Sequence, residues 1–301
     1  MRKAGIIFKR KSAEAAQRAC EAFEWLKDNS VEPLLESAPD DSLHCCPGAN
    51  PVGGEILARD SDFVVSLGGD GTFLYAAGLL FGRDVPLLGV HMGTLGFLTQ
   101  FQDSELEQAM KDALEGRLEC EKRMRLAAVI RRGGRKRLAC TALNDVVISN
   151  GELARLMEMD VFMDGRFMTS CRADGLIIGT PTGSTAYNLS AGGPIMNPGL
   201  DAFVLTPICP HSLTQRPTVL ASTVKLTVVV GASGQGGYVT IDGQSGFVLQ
   251  PGDEIEVSRS AHPLVMFRSP KRTFFDIMRK KLMWGGGPVR SPGDVDDSGG
   301  S

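Results

Sequence analysis

The first 120 residues alternate between short apolar runs and longer segments whose apolar residues recur at helical spacing. This pattern predicts strands at 5–8, 31–36, 62–67 and 86–90, and helices at 12–27, after residue 72, and from residue 103 or 104 to 115. Alternation of this kind is typical of a parallel, doubly wound sheet that binds ligands at the carboxyl ends of its strands. We therefore predict an α/β N-terminal domain.

The pattern changes at about residue 119, where short β-rich runs are separated by Gly, Pro and Asp. These runs predict strands of an all-β C-terminal domain at 125–131, 137–149, 157–163, 218–230, 238–241 and 254–259. Residues 185–191 predict a short helix within this domain. Residues 273–284 return to helical spacing and predict a C-terminal helix that packs back on the first domain. The predicted units are 1–120 (completed by about 272–284), 121–271, and a disordered tail at 285–301; 38–50 is predicted to be a loop.

Composition excludes several classes of protein. The 301 residues carry a net charge of −3, which gives no electrostatic case for a nucleic-acid partner. The one basic cluster, 131–137, contains two glycines and predicts a hairpin turn. No apolar stretch approaches the roughly 20 residues that a membrane helix needs. Seven cysteines without Cys-x-x-Cys spacing, among them the adjacent Cys45 and Cys46, predict reduced thiols and a cytoplasmic location.

Metal-ligand spacing is absent from the sequence, and we predict no bound structural metal. His44, His211 and His262 have no partners at metal-ligand spacing. His91 precedes a second glycine-containing loop at 93–97 and could face the site, but a hydrogen-bonded loop histidine is the favoured interpretation.

A glycine-rich turn carries the first chemical signal. Gly68, Gly69, Asp70, Gly71 and Thr72 follow an apolar strand and precede a helix. Such a turn lets phosphates approach the backbone and the helix N-terminus. It is neither a Walker motif nor a Rossmann fingerprint, and a plain strand-to-helix turn is the alternative. A carboxylate in a phosphate loop repels the anion, which indicates catalysis rather than simple binding.

Two further segments carry candidate binding groups. Residues 174–190 contain hydroxyls, a Pro-Gly turn and Tyr187, whose ring could face a base; a turn with capping hydroxyls is the alternative. Asn144 and Asp145 lie within an apolar run, where polar side chains need partners. Solvation at the edge of a sheet is the alternative for this pair.

Taken together, the ordered motifs resemble the bacterial NAD kinases over residues 3–284. The resemblance rests on 68–72, 93–97, Asn144-Asp145, 174–194, His211-Ser212-Leu213 with Arg216-Pro217, and Asp242-Gly243-Gln244. The glycine turn alone would be shared with diacylglycerol kinases and 6-phosphofructokinases, whereas 174–194 is far more specific. The resemblance implies two domains with NAD between them, and transfer of the γ-phosphoryl of Mg-ATP to the 2′-hydroxyl of the adenosine ribose.

The resemblance also implies roles for individual residues. Asp70 matches the catalytic base, with Gly68, Gly69, Gly71 and Thr72 around the phosphates. Asn144 and Asp145 match a pair that binds the ribose hydroxyls or the base. Asp174 matches a contact of the nicotinamide end, and Arg172 a position linked to preferring NAD over NADH. Further NAD contacts are implied for Gly71, Phe97, Arg155, Thr182, Thr185, Ala186, Tyr187, Asn188, Leu189, Ser190 and Gln244.

Two positions depart from the family pattern. Gly179 stands where Ser is commoner, and Asp145 shortens the usual Glu. Family members associate through the β domain, so a homodimer or homotetramer is implied, with Arg155 and Gln244 reached partly from a neighbouring subunit. Inorganic polyphosphate or other nucleoside triphosphates remain open as donors.

Two other functions are compatible with the glycine turn. A kinase of another hydroxylated small molecule, a lipid or a sugar phosphate, could use the same loop; the 174–194 motif argues against it. A non-catalytic dinucleotide-binding regulator is the second, but a mere binder gains nothing from a carboxylate that faces phosphate.

Overall fold

The computed structural model describes residues 2–37, 46, 48–151, 156–232 and 237–283. Helices are α1 (Ala13–Asp28), α2 (Gly54–Asp60), α3 (Asp70–Leu79), α4 (Leu106–Leu114), α5 (Tyr187–Ser190) and α6 (Phe274–Leu282). Strands of the first half are β1 (Lys3–Phe8), β2 (Glu32–Leu35), β3 (Phe63–Gly68), β4 (Leu87–His91), β5 (Phe101–Gln102), β6 (Cys120–Arg123), β7 (Leu126–Arg132), β8 (Arg135–Ala142) and β9 (Asp145–Ser149). Those of the second half are β10 (Met157–Met163), β11 (Arg166–Ala173), β12 (Gly175–Gly179), β13 (Ala202–Ile208), β14 (Thr218–Ala221), β15 (Leu226–Val230), β16 (Tyr238–Ile241), β17 (Ser245–Val248), β18 (Glu254–Arg259) and β19 (Leu264–Phe267).

The first sheet has the order β2-β1-β3-β4-β19-β6, and β5 also pairs with β4. All its pairs are parallel except that of β19 with β6. Apolar clusters cover both faces of this sheet, one shared with α1 and α4 and the other with α2 and α3. Because both faces are buried, the central strands β3, β4 and β19 are nearly continuous apolar runs. The prediction of an α/β domain with a doubly wound sheet is confirmed.

The second domain is a sandwich of two antiparallel sheets, β11-β10-β15-β18-β7-β8 and β14-β13-β12-β9-β16-β17. One apolar cluster contains residues from both sheets. The predicted hairpin at 131–137 is present: Gly133 and Gly134 both take positive φ between β7 and β8. Two glycines are suited to this turn because it needs left-handed backbone at consecutive positions.

The structure departs from the predicted domain boundaries at two strands. The strands β6 and β19 belong to the first sheet, although β19 and most of β6 fall within the range 121–271. After β19 the chain forms α6, which begins with a capping box in which Thr273 and Asp276 bond each other's backbone N–H. Helix α6 buries Ile277 and Met278 and places Lys281 over the ring of Phe97, so it packs on the first domain as predicted.

Several local predictions need correction. The predicted strand 137–149 is two strands: β8 ends at Ala142 in one sheet of the sandwich, and β9 begins at Asp145 in the other. Helix α2 was not predicted. The expectation of reduced thiols is wrong for one pair: Cys20 and Cys46 form a disulfide, their Cα atoms lying 5.1 Å apart. Tertiary packing brings α1 against the segment before α2, which spacing along the chain does not reveal.

Four predictions fall outside the described residues: the tail at 285–301, most of the loop at 38–50, the contact Arg155, and the last residue of the predicted C-terminal helix, Trp284. Among the helices that the structure describes, none is long and apolar enough to span a membrane.

Candidate active site

The glycine turn joins the buried strand β3 to α3. Gly69 is the extended N-cap residue, and Asp70 is the first residue of the helix. A Cβ at Gly68 would lie 2.3 Å from Thr72 Oγ1, whereas one at Gly69 or Gly71 would meet nothing within 4 Å. Glycine at 68 is therefore needed for packing inside the turn. Gly69 and Gly71 leave open space beside the helix N-terminus, as the approach of a phosphate requires.

The carboxylate of Asp70 is held by the loop that follows β4. Its Oδ2 accepts the N–H of Phe97 at 2.9 Å. Its Oδ1 accepts the N–H groups of Leu98 and Thr99 and the Thr99 hydroxyl, at 3.0 to 3.2 Å. A Cβ at Gly96 would lie 1.9 Å from Oδ1, so only glycine admits the carboxylate. The half-buried side chain is thus fixed in one position at the edge of the glycine turn.

Asp242 organises the break between β8 and β9. Its carboxylate accepts the backbone N–H groups of Leu143, Asn144 and Asp145 at 2.9, 2.7 and 3.1 Å. Its own N–H donates to the Asp145 carbonyl at 3.0 Å. Burial raises the pKa of Asp242, an effect opposed by these three N–H donors. This residue lies in a motif of the resemblance but was not predicted as a site residue.

Asp145 begins β9, which lies between β12 and β16 in the interior of its sheet, so the edge-strand alternative for this pair does not hold. The residue is buried, and burial together with the nearby Asp242 charge raises its pKa to about 7. Asn144 is half-buried, and its side-chain amide forms no hydrogen bond with the residues that the structure describes. The Asn144 amide is thus left available next to the Asp145 carboxyl group. Strongly perturbed pKa values such as that of Asp145 are typical of functional sites.

The segment 180–190 combines buried structural groups with accessible ones. Ser184 bonds the backbone at Pro181 and Met196. Both N–H groups of the Asn188 amide donate to carbonyls, of Ser184 and Pro194, and its oxygen accepts from Thr206. The predicted wall residues thus differ in accessibility: Thr182 and Asn188 are buried, Thr185, Ala186 and Leu189 are half-buried, and Tyr187 and Ser190 are exposed.

Arg172 and Asp174 lie at the opposite end of β12 from Asp145. Gly179 pairs with Asp145, whereas Gly175 pairs with Ser149, and Asp174 directly precedes Gly175. Both side chains are exposed, and Arg172 Nε lies 3.2 Å from Glu158 Oε1. Five residues of strand separate Asp174 from Gly179, about 17 Å. Arg155, the remaining predicted contact, lies outside the described residues.

Three polar contacts join the glycine-turn region to the β domain. Gln244 Nε2 donates to the Gly71 carbonyl at 3.0 Å within the same chain. Arg123, at the end of β6, reaches the Thr182 hydroxyl at 3.4 Å. Arg125, fully buried, donates to the Ala77 carbonyl of α3 at 2.7 Å. Burial lowers the pKa of Arg125 to about 10, and the Asp242 carboxylate opposes that shift.

The contacts therefore bring some of the predicted residues together. Asp70, Phe97 and Gly71 are linked to the β domain through Gln244, and Gly183 lies against the Asn144 backbone so closely that a Cβ would be 2.1 Å from its carbonyl oxygen. Sequence reasoning missed Arg123 and Arg125. The one available signal was two arginines at the point where the pattern changes from α/β to β.

Comparisons with known proteins show which family this chain resembles. Residues 4–118 match the model of the ATP-NAD kinase N-terminal domain, and 143–269 match that of the ATP-NAD kinase C-terminal domain. The NAD kinases of Geotalea daltonii and Geobacter sulfurreducens are 40% and 41% identical over 285 residues, 95% of this chain and 99% of each relative.

Two solved structures are similar over most of their length. Yeast NADH kinase complexed with NADH has a TM-score of 0.84 at 27% identity, covering 95% of this chain and 89% of its own. An NAD kinase from Archaeoglobus fulgidus in complex with ATP has a TM-score of 0.73 at 29% identity, covering 91% and 98%. The resemblance predicted from the sequence is confirmed, and these matches favour it over a lipid or sugar kinase and over a non-catalytic binder. The chain belongs to the ATP-NAD kinase family, and it phosphorylates NAD with ATP.

Proposed function

We propose that Asp70 is the general base that takes the proton from the 2′-hydroxyl of the adenosine ribose as that oxygen attacks the γ-phosphorus of ATP. A ribose hydroxyl is a weak nucleophile, and a positioned carboxylate contributes rate by accepting its proton in the transition state. The observation that carries this role is the fixed carboxylate beside the glycine turn. Its Oδ1 has three donors but Oδ2 only one, so Oδ2 retains a lone pair for the hydroxyl.

The phosphates of the donor are placed at Gly68, Gly69, Gly71 and Thr72. Open space at Gly69 and Gly71 and the N-terminus of α3 favour an anion there. Phosphoryl transfer depends on positioning and on neutralising the charge of the phosphates. Among the described residues, no group of three or more His, Cys, Asp or Glu could hold a metal ion. We place Mg²⁺ on ATP, held mainly by phosphate oxygens and water.

NAD is placed between the domains, along β12. Asn144 and Asp145 contact the adenosine ribose or base near Asp70, and Asp174 contacts the nicotinamide end. The separation of about 17 Å along the strand suits an extended dinucleotide that contacts both ends. Phe97, Arg155, Arg172, Thr182, Thr185, Ala186, Tyr187, Leu189, Ser190 and Gln244 complete the proposed wall. Since the Asn188 amide is fully bonded within the protein, we assign it a positioning role behind that wall.

The decisive experiment follows NADP formation with an NADP-specific dehydrogenase, using purified protein, NAD, Mg²⁺ and ATP. The same assay with other nucleoside triphosphates and with polyphosphate defines the donor range, and omission of Mg²⁺ tests the metal. Asp70 is removed from the base role if Asp70→Asn retains near-normal turnover. A homodimer or homotetramer and a cytoplasmic location are also part of this proposal; sedimentation velocity and cell fractionation test them.

A further inference from the structure

Arg123 is buried at the point where the chain passes from the first sheet to the β domain. It is the last residue of β6, it pairs with Leu264 of β19, and its side chain is only 6% exposed. Arginine is seldom buried, and the cost of removing its charge from water is offset only partly by an ion pair. The position of Arg123 therefore favours a role in fixing geometry over a role in stability.

The guanidinium of Arg123 contacts one residue of each domain. Its Nη2 lies 2.5 Å from Glu121 Oε1 on the same strand, and its Nη1 donates to the Thr182 hydroxyl of the β domain at 3.4 Å. The buried Nε has no hydrogen-bond partner among the described residues. The two terminal nitrogens therefore determine where the guanidinium lies, and through it the separation of Glu121 from Thr182.

Glu121 connects this contact to the loop that holds Asp70. The same Oε1 accepts Nε2 of the buried Gln100 at 3.3 Å, and the Gln100 side-chain oxygen accepts the N–H of Ser269 at 3.0 Å. Gln100 directly follows Thr99, whose N–H and hydroxyl each donate to Asp70 Oδ1 at 3.2 Å. The position of Glu121 is thus coupled to the backbone segment that fixes the carboxylate.

Thr182 connects the same contact to the proposed ribose-binding pair. It directly precedes Gly183, and a Cβ at Gly183 would lie 2.1 Å from the Asn144 carbonyl oxygen, so the two backbones are in close contact. The Gly183 N–H also donates to the Thr180 hydroxyl at 3.0 Å, and that hydroxyl donates to the Leu143 carbonyl at 2.5 Å. A displacement of Thr182 would therefore move the backbone that packs against Asn144.

We propose that Arg123 is a positioning residue for the phosphoryl transfer: by joining Glu121 to Thr182, it sets the distance between Asp70 and the ribose bound at Asn144. The inference rests on the proposed function, since it takes Asp70 as the base and Asn144 as a ribose contact. Arg123 itself touches neither residue. A general base has to lie within about 2.6–3.2 Å of the atom whose proton it takes, so a small change in this distance lowers the rate.

Lysine cannot replace Arg123 in this role. A guanidinium presents separate nitrogens to Glu121 and Thr182 at a fixed spacing, whereas an ammonium is a single charge on a flexible chain. Arg123→Lys keeps the charge and can keep the ion pair, but it loses the link to Thr182. A displacement of about 1 Å costs about 100-fold in rate, so kcat should fall about 10- to 100-fold, with the KM for ATP changed less than about two-fold.

The decisive test repeats this substitution in a protein that lacks the base. If Arg123 acts by placing Asp70, its effect should disappear once residue 70 can no longer accept a proton. Arg123→Lys should therefore change the residual kcat of Asp70→Asn by less than about two-fold, because residues that act as a unit have non-additive effects. A residue that only maintains the fold would lower both rates alike. Equal losses in the two backgrounds, or a wild-type kcat in Arg123→Lys, overturn the inference.

Arg132→Lys is the matched control. Arg132 lies at the other end of β7 and binds the Asp253 carboxylate at 2.7 Å within the β domain. The substitution removes a similarly bonded guanidinium and should leave kcat unchanged in both backgrounds. A loss in this control as large as that in Arg123→Lys also overturns the inference. Urea unfolding of both lysine variants checks that each is folded under the assay conditions.

A second comparison leaves Arg123 in place and decides the matter even if Arg123→Lys does not fold. Thr182→Val and Gln100→Met remove the polar atoms at the two ends of this chain of contacts with little change in volume. No hydrogen bond joins Gln100 to Thr182, so their effects on kcat should multiply if the two residues act separately. Coupling through Glu121 and Arg123 predicts instead that the double variant loses about as much as the weaker single variant. Multiplied losses overturn the inference.

These outcomes distinguish the inference from the proposed function. If Asp70→Asn alone keeps near-normal turnover, the base role is wrong, whereas the comparison of Thr182→Val with Gln100→Met still decides whether Arg123 couples the two segments. If Asp70→Asn loses turnover but Arg123→Lys is equally costly in both backgrounds, the base role stands and the positioning role of Arg123 falls.

Discussion

The side-chain amide of Gln244 donates a hydrogen bond to the carbonyl oxygen of Gly71 over 3.0 Å. This bond connects the turn between β16 and β17 of the β domain to the first turn of α3, next to Asp70. The two halves of the proposed site are therefore in direct contact within one chain. The bond also fixes where the Gly71 backbone lies relative to the proposed ribose-binding residues.

Gln244→Ala removes this contact. One hydrogen bond contributes about 0.5–1.5 kcal/mol, so kcat/KM for NAD should fall about 2- to 10-fold while the protein stays folded. Steady-state kinetics with varied NAD measure the effect. The matched control is Gln250→Ala, at an exposed glutamine of the same domain. Equal kinetics in the two variants would argue against a positioning role for Gln244.

Asp70→Asn tests the base directly. The amide keeps one acceptor oxygen but cannot take a proton, so kcat should fall about 10²- to 10⁴-fold, the range typical of general-base catalysis. NAD binding, followed by calorimetry, should persist. Loss of NAD binding together with turnover would instead indicate that the carboxylate holds the site in shape.

Gly96→Ala tests how strictly the carboxylate must be placed. The new methyl group would lie 1.9 Å from Asp70 Oδ1, so the carboxylate or the loop must move. A displacement of about 1 Å can cost about 100-fold in rate, and we expect a loss of that order in kcat.

The control for this variant is Gly78→Ala, on the exposed face of α3, where a Cβ meets nothing within 4 Å. It should keep full activity and gain about 0.5–1 kcal/mol of stability, because alanine is the better helix former. Comparable activity losses in both variants would point to general damage to α3.

Stability should depend on pH through Asp145. Its pKa of about 7 in the folded protein exceeds the ordinary value of 3.8, so the folded state binds the proton more tightly. The resulting loss of folding free energy is absent below about pH 4, grows between pH 4 and 7, and is complete above pH 7. Asp145→Asn removes it, so the variant should gain about 4 kcal/mol relative to wild type between pH 4 and pH 8.

Urea unfolding at pH 4.5 and at pH 8 measures this difference. Asp84→Asn, at an exposed aspartate, is the control and should show no such pH-dependent gain. A gain that is the same at both pH values would show that the Asp145 carboxyl group is not the titrating group.

Arg172→Gly tests selectivity between NAD and NADH. Arg172 lies in β11, two residues before Asp174, close to the end of β12 where we place the nicotinamide ring. Because this position is linked in the family to preferring NAD over NADH, replacing Arg172 should raise NADH use relative to NAD by up to about five-fold, the equivalent of about 1 kcal/mol for one exposed charged side chain. The ratio of kcat/KM values measures it, with Arg166→Gly on the same strand as control. An identical ratio in the two variants would reject the assignment.

The sequence by itself determined the two domain classes, the glycine turn and the motif at 174–190. Strand and helix periodicity are local properties, because a side chain's face follows from its position in the repeat. The same holds for the turn at Gly133 and Gly134, whose backbone requirement is met by the two residues themselves. Asp70 could be chosen from the sequence because a carboxylate between glycines is chemically unusual wherever it lies.

Only the tertiary structure decided which distant groups meet. Asp242 lies about a hundred residues beyond the amides it binds, and the Cys20–Cys46 disulfide, the Arg125–Ala77 bond and the β19 strand of the first sheet also join separated segments. Spacing along the chain contains no signal for such contacts, since they depend on how sheets and helices pack.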